Sequence, residues 1–218
     1  MKVAAARKRR NGRKPLGQSL VEFAVLLPIL LMMLSGLIEF GFLLNYYLDL
    51  VDAAREAARF AANDDPLIRE GPSAGQTDDT FYIFARDMVL QSIDIGSGGQ
   101  ISLDTTANDD IVISAFSIMS GTIDRRFPDL DGDKLCDDTD FYSYASNRAS
   151  DFSCADVAAM LDPAAPNAGI VLVEIFYDYH MVLGLPWITA FVPDTITLHA
   201  YSMMPNTAAE PTPTPPPP

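Results

Sequence analysis

The feature that most constrains this chain is a run without charge. From Phe23 to Ile38 no residue is ionisable, and most are Leu, Ile, Val or Met. With its flanks, Leu20 to Leu44, the segment reaches 25 residues and is interrupted only by Glu22 and Glu39. About 20 apolar residues cross a bilayer core, and lipid offers the backbone no hydrogen-bond partners, so such a span must be helical. The pattern does not stop where the bilayer would. In "NYYLDLVDAAREAARFAA", residues 45–62, Tyr46, Leu50, Ala53, Ala54, Ala57, Ala58 and Ala61 recur at helical spacing between charged residues. "NDDP" at 63–66 ends the pattern, because Pro66 disfavours helix at Asp65. One helix of about 45 residues is predicted, about 68 Å long at 1.5 Å per residue. Its first half lies in lipid and its second stands outside. Pro28 falls within the span, which membrane helices tolerate. A secretory signal would have a shorter apolar core closed by a small-residue cleavage site, and no such site closes this run.

Charge sets the topology. The formal net charge is −14, yet seven of the 15 Lys/Arg fall within residues 1–14, where there is no acid. The rest of the chain sets eight basic residues against 29 acidic ones. A basic arm before an acidic body is also a nucleic-acid pattern. Directly ahead of a span, however, Lys/Arg mark the cytoplasmic side, so topology is preferred and no nucleic-acid partner is expected. The acidic body then lies outside the cytoplasm, where a disulfide between the chain's two cysteines, Cys136 and Cys154, is permitted.

Beyond the helix, "EGPSAGQ" at 70–76 is a loop. "TDDTFYIFARDMVLQSI", 77–93, reads as a second helix with a Thr cap and with Phe81, Phe84, Ala85, Met88, Val89 and Ser92 on one face. After the "GSGG" turn, "QISLDT" (100–105) and "DIVISAFSIM" (110–119) read as strands. Residues 119–169 form a polar, irregular, acidic loop region holding both cysteines and a short helical piece near "CADVAAML". "GIVLVEIFYDYHMV" (169–182) is the strongest strand signal, "LGLPWITAFVP" an apolar loop, and "DTITLHAYSMM" (194–204) the last strand. The predicted fold class is α+β: a long N-terminal helix, then a small extracytoplasmic domain with about four antiparallel strands. The expected organisation is a basic leader over 1–17, the long helix over 18–62, the domain over 63–204 and a Pro-rich tail over 205–218.

Glu22 lies five residues after Gly17, behind a basic arm and at the head of the apolar run. This is the pattern of a prepilin, in which a membrane peptidase cuts after the glycine. Cleavage between Gly17 and Gln18 would remove the seven positive charges and create an α-amino group. A carboxylate in an apolar stripe needs a partner, and Glu22 could meet the amino end of a neighbouring subunit; by position alone it equally suits the cytoplasmic lipid boundary, where a charge costs little. Glu39 is expected near the outer boundary, about 25 Å further along the helix axis.

"GQSLVEFA", "LLP", "IEFG" and "AAREAARFAA", spread over residues 17–62, resemble the TadE-like family, pseudopilins or minor pilins of tight-adherence (type IVb, Flp) pilus systems. The resemblance implies a protein of the bacterial cytoplasmic membrane, inserted once with its N-terminus in the cytoplasm. It also implies processing by a prepilin peptidase and work alongside other pilins or pseudopilins and the pilus assembly machinery. The lipid bilayer is itself a partner.

One further motif stands outside that resemblance. In "DLDGDKLCDDTD", Asp129, Asp131, Asp133, Asp137 and Asp140 occupy positions 1, 3, 5, 9 and 12 of an EF-hand-like loop, with the Leu135 carbonyl at position 7. Glycine stands at position 4 rather than 6, Lys134 holds position 6, and position 12 is Asp rather than Glu. Calcium is the candidate ion and no other cofactor is expected. A Cys136–Cys154 bridge would staple this loop, contributing roughly 3 kcal/mol. His180 and His199, on the last two strands, are too few for a metal site by themselves. No nucleophile motif, phosphate loop or paired-carboxylate pattern points to an enzyme. The second functional reading is therefore a membrane-tethered binding domain with a calcium-stabilised loop and no place in a pilus.

Overall fold

The computed structural model of the protein describes residues 17–68, 76–162 and 167–209. The basic leader before Gly17, nearly all of the 70–76 loop and the Pro-rich tail from residue 210 lie outside the described residues. Helix α1 (Gln18–Ala61) is continuous through Pro28, and its 44 residues extend about 66 Å. Every residue from Gln18 to Leu34 is exposed. From Leu50 onward the helix instead buries Ala53, Ala54, Ala57, Ala58 and Ala61 to 1 % exposure or less. Alanine at these positions keeps the helix surface low, so α1 packs closely against both a second helix and a sheet. Among the described residues α1 is the one helix long and apolar enough to cross a membrane, and only 6 % of its apolar window is buried. That exposure separates it from the core helix of a soluble protein.

Helix α2 (Asp79–Ser97) is capped by Asp78, whose side chain accepts from the Thr80 N–H, and not by Thr77. Gly98 closes it in the left-handed conformation, where glycine carries no Cβ penalty. The buried face comprises Phe81, Tyr82, Ala85, Val89 and Ile93. Phe84 and Ser92, expected on that face, lie off it, and Phe84 is exposed. Tyr82 takes the inner place by stacking on Tyr142, a residue distant in sequence.

The sheet comprises β1 (Asp110–Met119), β2 (Thr122–Phe127), β3 (Tyr142–Ser143), β4 (Ala168–His180) and β5 (Thr195–Asn206). Its order is β2-β1-β4-β5, with β3 pairing the other end of β1, and every pairing is antiparallel. The predicted class, α+β with an antiparallel sheet behind a long apolar helix, is the observed one. Two details differ. The stretch 100–105 is no strand: Ile101 is buried and Asp104 folds back to accept from Thr106, so the chain turns before β1 begins. The region 119–169 is less irregular than expected, because Ser120 and Gly121, both at positive φ, close a two-residue hairpin into β2.

The two sheet faces are covered differently. Ile111, Ile113, Ala115, Val171, Val173, Ile175, Tyr179 and Ala200 join α1 and α2 in the main core. On the opposite face Phe116 and Leu172 meet Val157 of helix α3 (Cys154–Met160) in a smaller cluster. The same face also buries polar side chains, and these are hydrogen-bonded. Arg126, with 0 % exposure, donates from Nε and Nη2 to Ser114 Oγ and from Nη1 to the Phe152 carbonyl. Glu174, equally buried, accepts from Ser150 Oγ and the Asp151 N–H and lies 3.2 Å from His199 Nε2. Alternation in β4 therefore marks two buried environments, one apolar and one that mixes apolar side chains with hydrogen-bonded polar ones.

Candidate functional site

At the head of α1, Gly17 occupies the N-cap without a side-chain cap, and helix begins at Gln18. Gln18 and Glu22 lie one turn apart, and the Gln18 amide donates to Glu22 Oε1 at 3.0 Å. Both side chains are exposed, as are all helix neighbours up to Leu34. The predicted processing and assembly residues thus share one end of a helix that no other described residue covers there.

Glu39 behaves otherwise. Besides lying near one end of the uncharged run, it is bound by the domain. The residue is 5 % exposed, and its carboxylate accepts from the Tyr179 hydroxyl (2.5 Å), the Val182 N–H (2.8 Å) and the Leu183 N–H (2.8 Å). One turn earlier, Ser35 Oγ accepts from Trp187 Nε1 at 3.0 Å. Trp187 belongs to the one-turn helix α4 (Pro186–Thr189), inside the loop between β4 and β5. A carboxylate with three donors is satisfied in a low-dielectric setting. Tyr46 packs edge-on against Tyr179 and stacks on Tyr177, extending the clamp along the helix. Burial raises the Tyr179 phenol well above its ordinary pKa, and the Glu39 hydrogen bond adds to the rise, so Tyr179 remains the donor. No spacing rule linked Glu39 to Tyr179 across 140 residues. The available signal was a charge kept at the end of an apolar run.

The acidic loop closes as the spacing suggested, with one member missing. Asp129, Asp131, Asp133 and Asp140 each bring a carboxylate oxygen within 4.8 Å of the others. Asp137 is outside this set; its carbonyl accepts from the Asp140 N–H. The Leu135 carbonyl accepts from the Arg126 N–H, tying the loop to β2. Asp129 accepts from the Gly132 and Lys134 N–H groups, and Lys134 takes a left-handed φ of 64° where an EF-hand has glycine. Burial pushes the Asp140 carboxyl up, the Leu130 N–H opposes this, and Asp129, Asp131 and Asp137 add to the rise. The Cys136–Cys154 disulfide is formed and fastens the loop to the start of α3. His180 and His199 do not converge: in the β4–β5 register His180 faces Thr195, and His199 faces Phe176 and stacks on its ring.

A buried aspartate at the start of β1 also organises β3 and the segment after it. Asp110 accepts from Ser143 Oγ and from the N–H groups of Ala145, Asn147 and Arg148.

A long helix divided between an exposed apolar half and a half built into an antiparallel α+β domain defines a membrane-anchored protein of one candidate span among the described residues. Residues 17–59 match the model of the family described as TadE-like protein, so over this stretch the chain is similar to that family, as its motifs implied. No curated protein matches the chain, and no solved structure does.

Proposed function

We propose that this protein is a TadE-like pseudopilin or minor pilin that takes part in tight-adherence (Flp) pilus assembly through α1. It inserts with its basic arm in the cytoplasm and its domain outside, following the charge asymmetry across the span. A prepilin peptidase removes the leader at the Gly17–Gln18 bond. Glu22 then pairs with the new α-amino group of a neighbouring pilin and sets the axial register.

The observation that carries this reading is the placement of the motif. Gly17, Gln18 and Glu22 head a helix that is exposed throughout Gln18–Leu34 and anchored to its own domain only from Ser35 onward. A free apolar helix with one charge at its head suits lateral packing against like helices.

N-terminal sequencing of the membrane-extracted protein tests the cleavage. A mature start at Gln18 is expected when the peptidase is present, and an intact Met1 would favour the tethered binding-domain reading. Glu22→Ala is expected to insert normally yet lose co-purification with pilus subunits. Unchanged co-purification would remove the register role.

A further inference from the structure

We propose that the loop from Asp129 to Asp140 is a calcium site. Converging carboxylates on an acidic surface do not by themselves make one; the independent observation is Asp140. This residue is 1 % exposed, its Oδ1 accepts from the Leu130 N–H at 3.0 Å, and its Oδ2 is buried without a hydrogen-bond partner. A buried carboxylate oxygen without a partner is costly and rare in folded proteins. Its neighbours in the cluster are the carboxylates of Asp129, Asp131 and Asp133, which cannot donate to it when ionised. The buried guanidinium of Arg126 donates from Nε, Nη1 and Nη2 to Ser114 and Phe152 and acts on Asp140 through its charge, without a hydrogen bond to Oδ2. A cation among the four carboxylates satisfies Oδ2 and removes their mutual repulsion together.

The donor set selects the ion. All four side-chain donors are hard oxygens on a loop of irregular backbone. Calcium accepts six to eight oxygens in flexible geometry, whereas magnesium demands a near-ideal octahedron. Second carboxylate oxygens, a backbone carbonyl or water complete the shell. The disulfide at Cys136 holds the loop against α3, so less ordering is left for the ion to impose.

The test uses the full chain in detergent micelles, with its disulfide intact, starting from a chelator-treated sample. Adding calcium chloride to about 5 mM, ample for a site of extracellular affinity, is expected to raise the melting temperature by about 5 °C. Calorimetric titration is expected to give one ion per chain. Asp131→Asn, at an exposed position, and Asp140→Asn, which keeps the acceptor for Leu130, are each expected to weaken calcium binding at least about tenfold, the loss of one charged ligand. No shift with calcium, an equal shift with magnesium at the same concentration, or undiminished binding in both variants would overturn the site.

A separate observation, at the helix clamp, carries a second inference. We infer that the β4–β5 loop, residues 181–193, enters the bilayer leaflet on the domain side of α1. This rests on α1 being the membrane span and not on any role in a pilus. The loop "MVLGLPWITAFVP" holds no charged residue, and Phe191 is 85 % and Val182 52 % exposed. Trp187 is bonded to Ser35, which lies inside the uncharged run and one turn below Glu39. The loop's apolar side chains are therefore held level with the apolar helix surface, and one solvent must suit both. Tryptophan with its indole N–H satisfied and its ring half exposed is a residue of the membrane interface.

Trp187 is the only tryptophan in the chain, so its fluorescence reports on this loop without mutation. The full chain is reconstituted in phosphatidylcholine vesicles carrying bromine near the carbonyl end or deep in the acyl chain. Strong quenching by the shallow bromines and weaker quenching by the deep ones is expected. Flotation of the same vesicles reports whether α1 is inserted. Inserted protein whose Trp187 is quenched by neither lipid would overturn the inference and leave the span intact.

Discussion

Glu22 and Glu39 stand 17 residues apart on one helix and have opposite fates. Glu22 is exposed and, among the described residues, hydrogen-bonds to Gln18 within its own helix. Glu39 is buried and holds three donors from the far end of β4 and the loop after it. The same side chain is a free connector in one place and a structural bolt in the other. What separates them is the domain's reach along α1, which ends at Ser35. The helix is a handle up to that point and a core element from Leu50 onward.

That contrast can be broken most directly at Glu39. Glu39→Ala leaves the Tyr179 hydroxyl and two backbone N–H groups without an acceptor, and is expected to cost about 3 kcal/mol or more. Glu22→Ala is expected to leave thermal unfolding of the same micelle-solubilised protein unmoved. Equal melting shifts for the two would erase the distinction. Next in size is the disulfide. Replacing Cys136 and Cys154 with Ser is expected to cost about 3 kcal/mol or somewhat less. Amide exchange should rise in the acidic loop but not at Val182 and Leu183, so faster exchange at those two amides would mean that loop and clamp are one unit.

Gly169→Ala probes the far end of the domain half. A Cβ there would sit 2.2 Å from the Ala209 Cβ and 2.7 Å from the Asn206 carbonyl. Asn206 bonds the Ala61 and Asp64 carbonyls, closing the end of α1. A loss of about 2 kcal/mol is expected, read by denaturant unfolding. A neutral substitution would show that this close approach can relax.

The smallest effect is on pH. Burial pushes Asp178 up, but hydrogen bonds from Thr197 and Asn108 and the charges of Arg148 and His180 outweigh it and leave its pKa lowered. Its folded pKa lies below the unfolded one, so it adds stability above the ordinary carboxylate value, about 4. That contribution is lost as pH falls through the folded pKa. Asp109 beside it is raised by burial and acts with the opposite sign. Acid unfolding of Asp178→Asn is therefore expected to be slightly shallower below about pH 4, and a steeper profile would reverse the assignment.

Much of this was legible in residue order. An uncharged run, an alanine stripe at helical spacing and a Pro66 stop describe a helix almost to its ends. The aspartate spacing of 129–140 marked a loop in which four of the five aspartates converge. The misses share a cause. Tyr82 displaces Phe84 on α2 because Tyr142 comes to meet it. Asp110 and Glu174, polar residues that look like surface, are buried because partners from 143–151 arrive to satisfy them. The hairpin into β2 was signalled by Ser120–Gly121, a weak turn marker inside a polar region.

By itself the sequence determined everything that depends on near neighbours: the span, the charge step across it, the helical repeat of α1, the strands of alternating residues and the glycine–glutamate spacing at Gly17 and Glu22. These follow from periodicity and from the cost of charge in lipid, which act over a few residues. Only the tertiary structure decided which polar residues are interior and where the membrane handle ends. Glu39 could not be assigned until Tyr179, Val182 and Leu183 were beside it, because a carboxylate's place is set by its donors, and those lie at least 140 residues away.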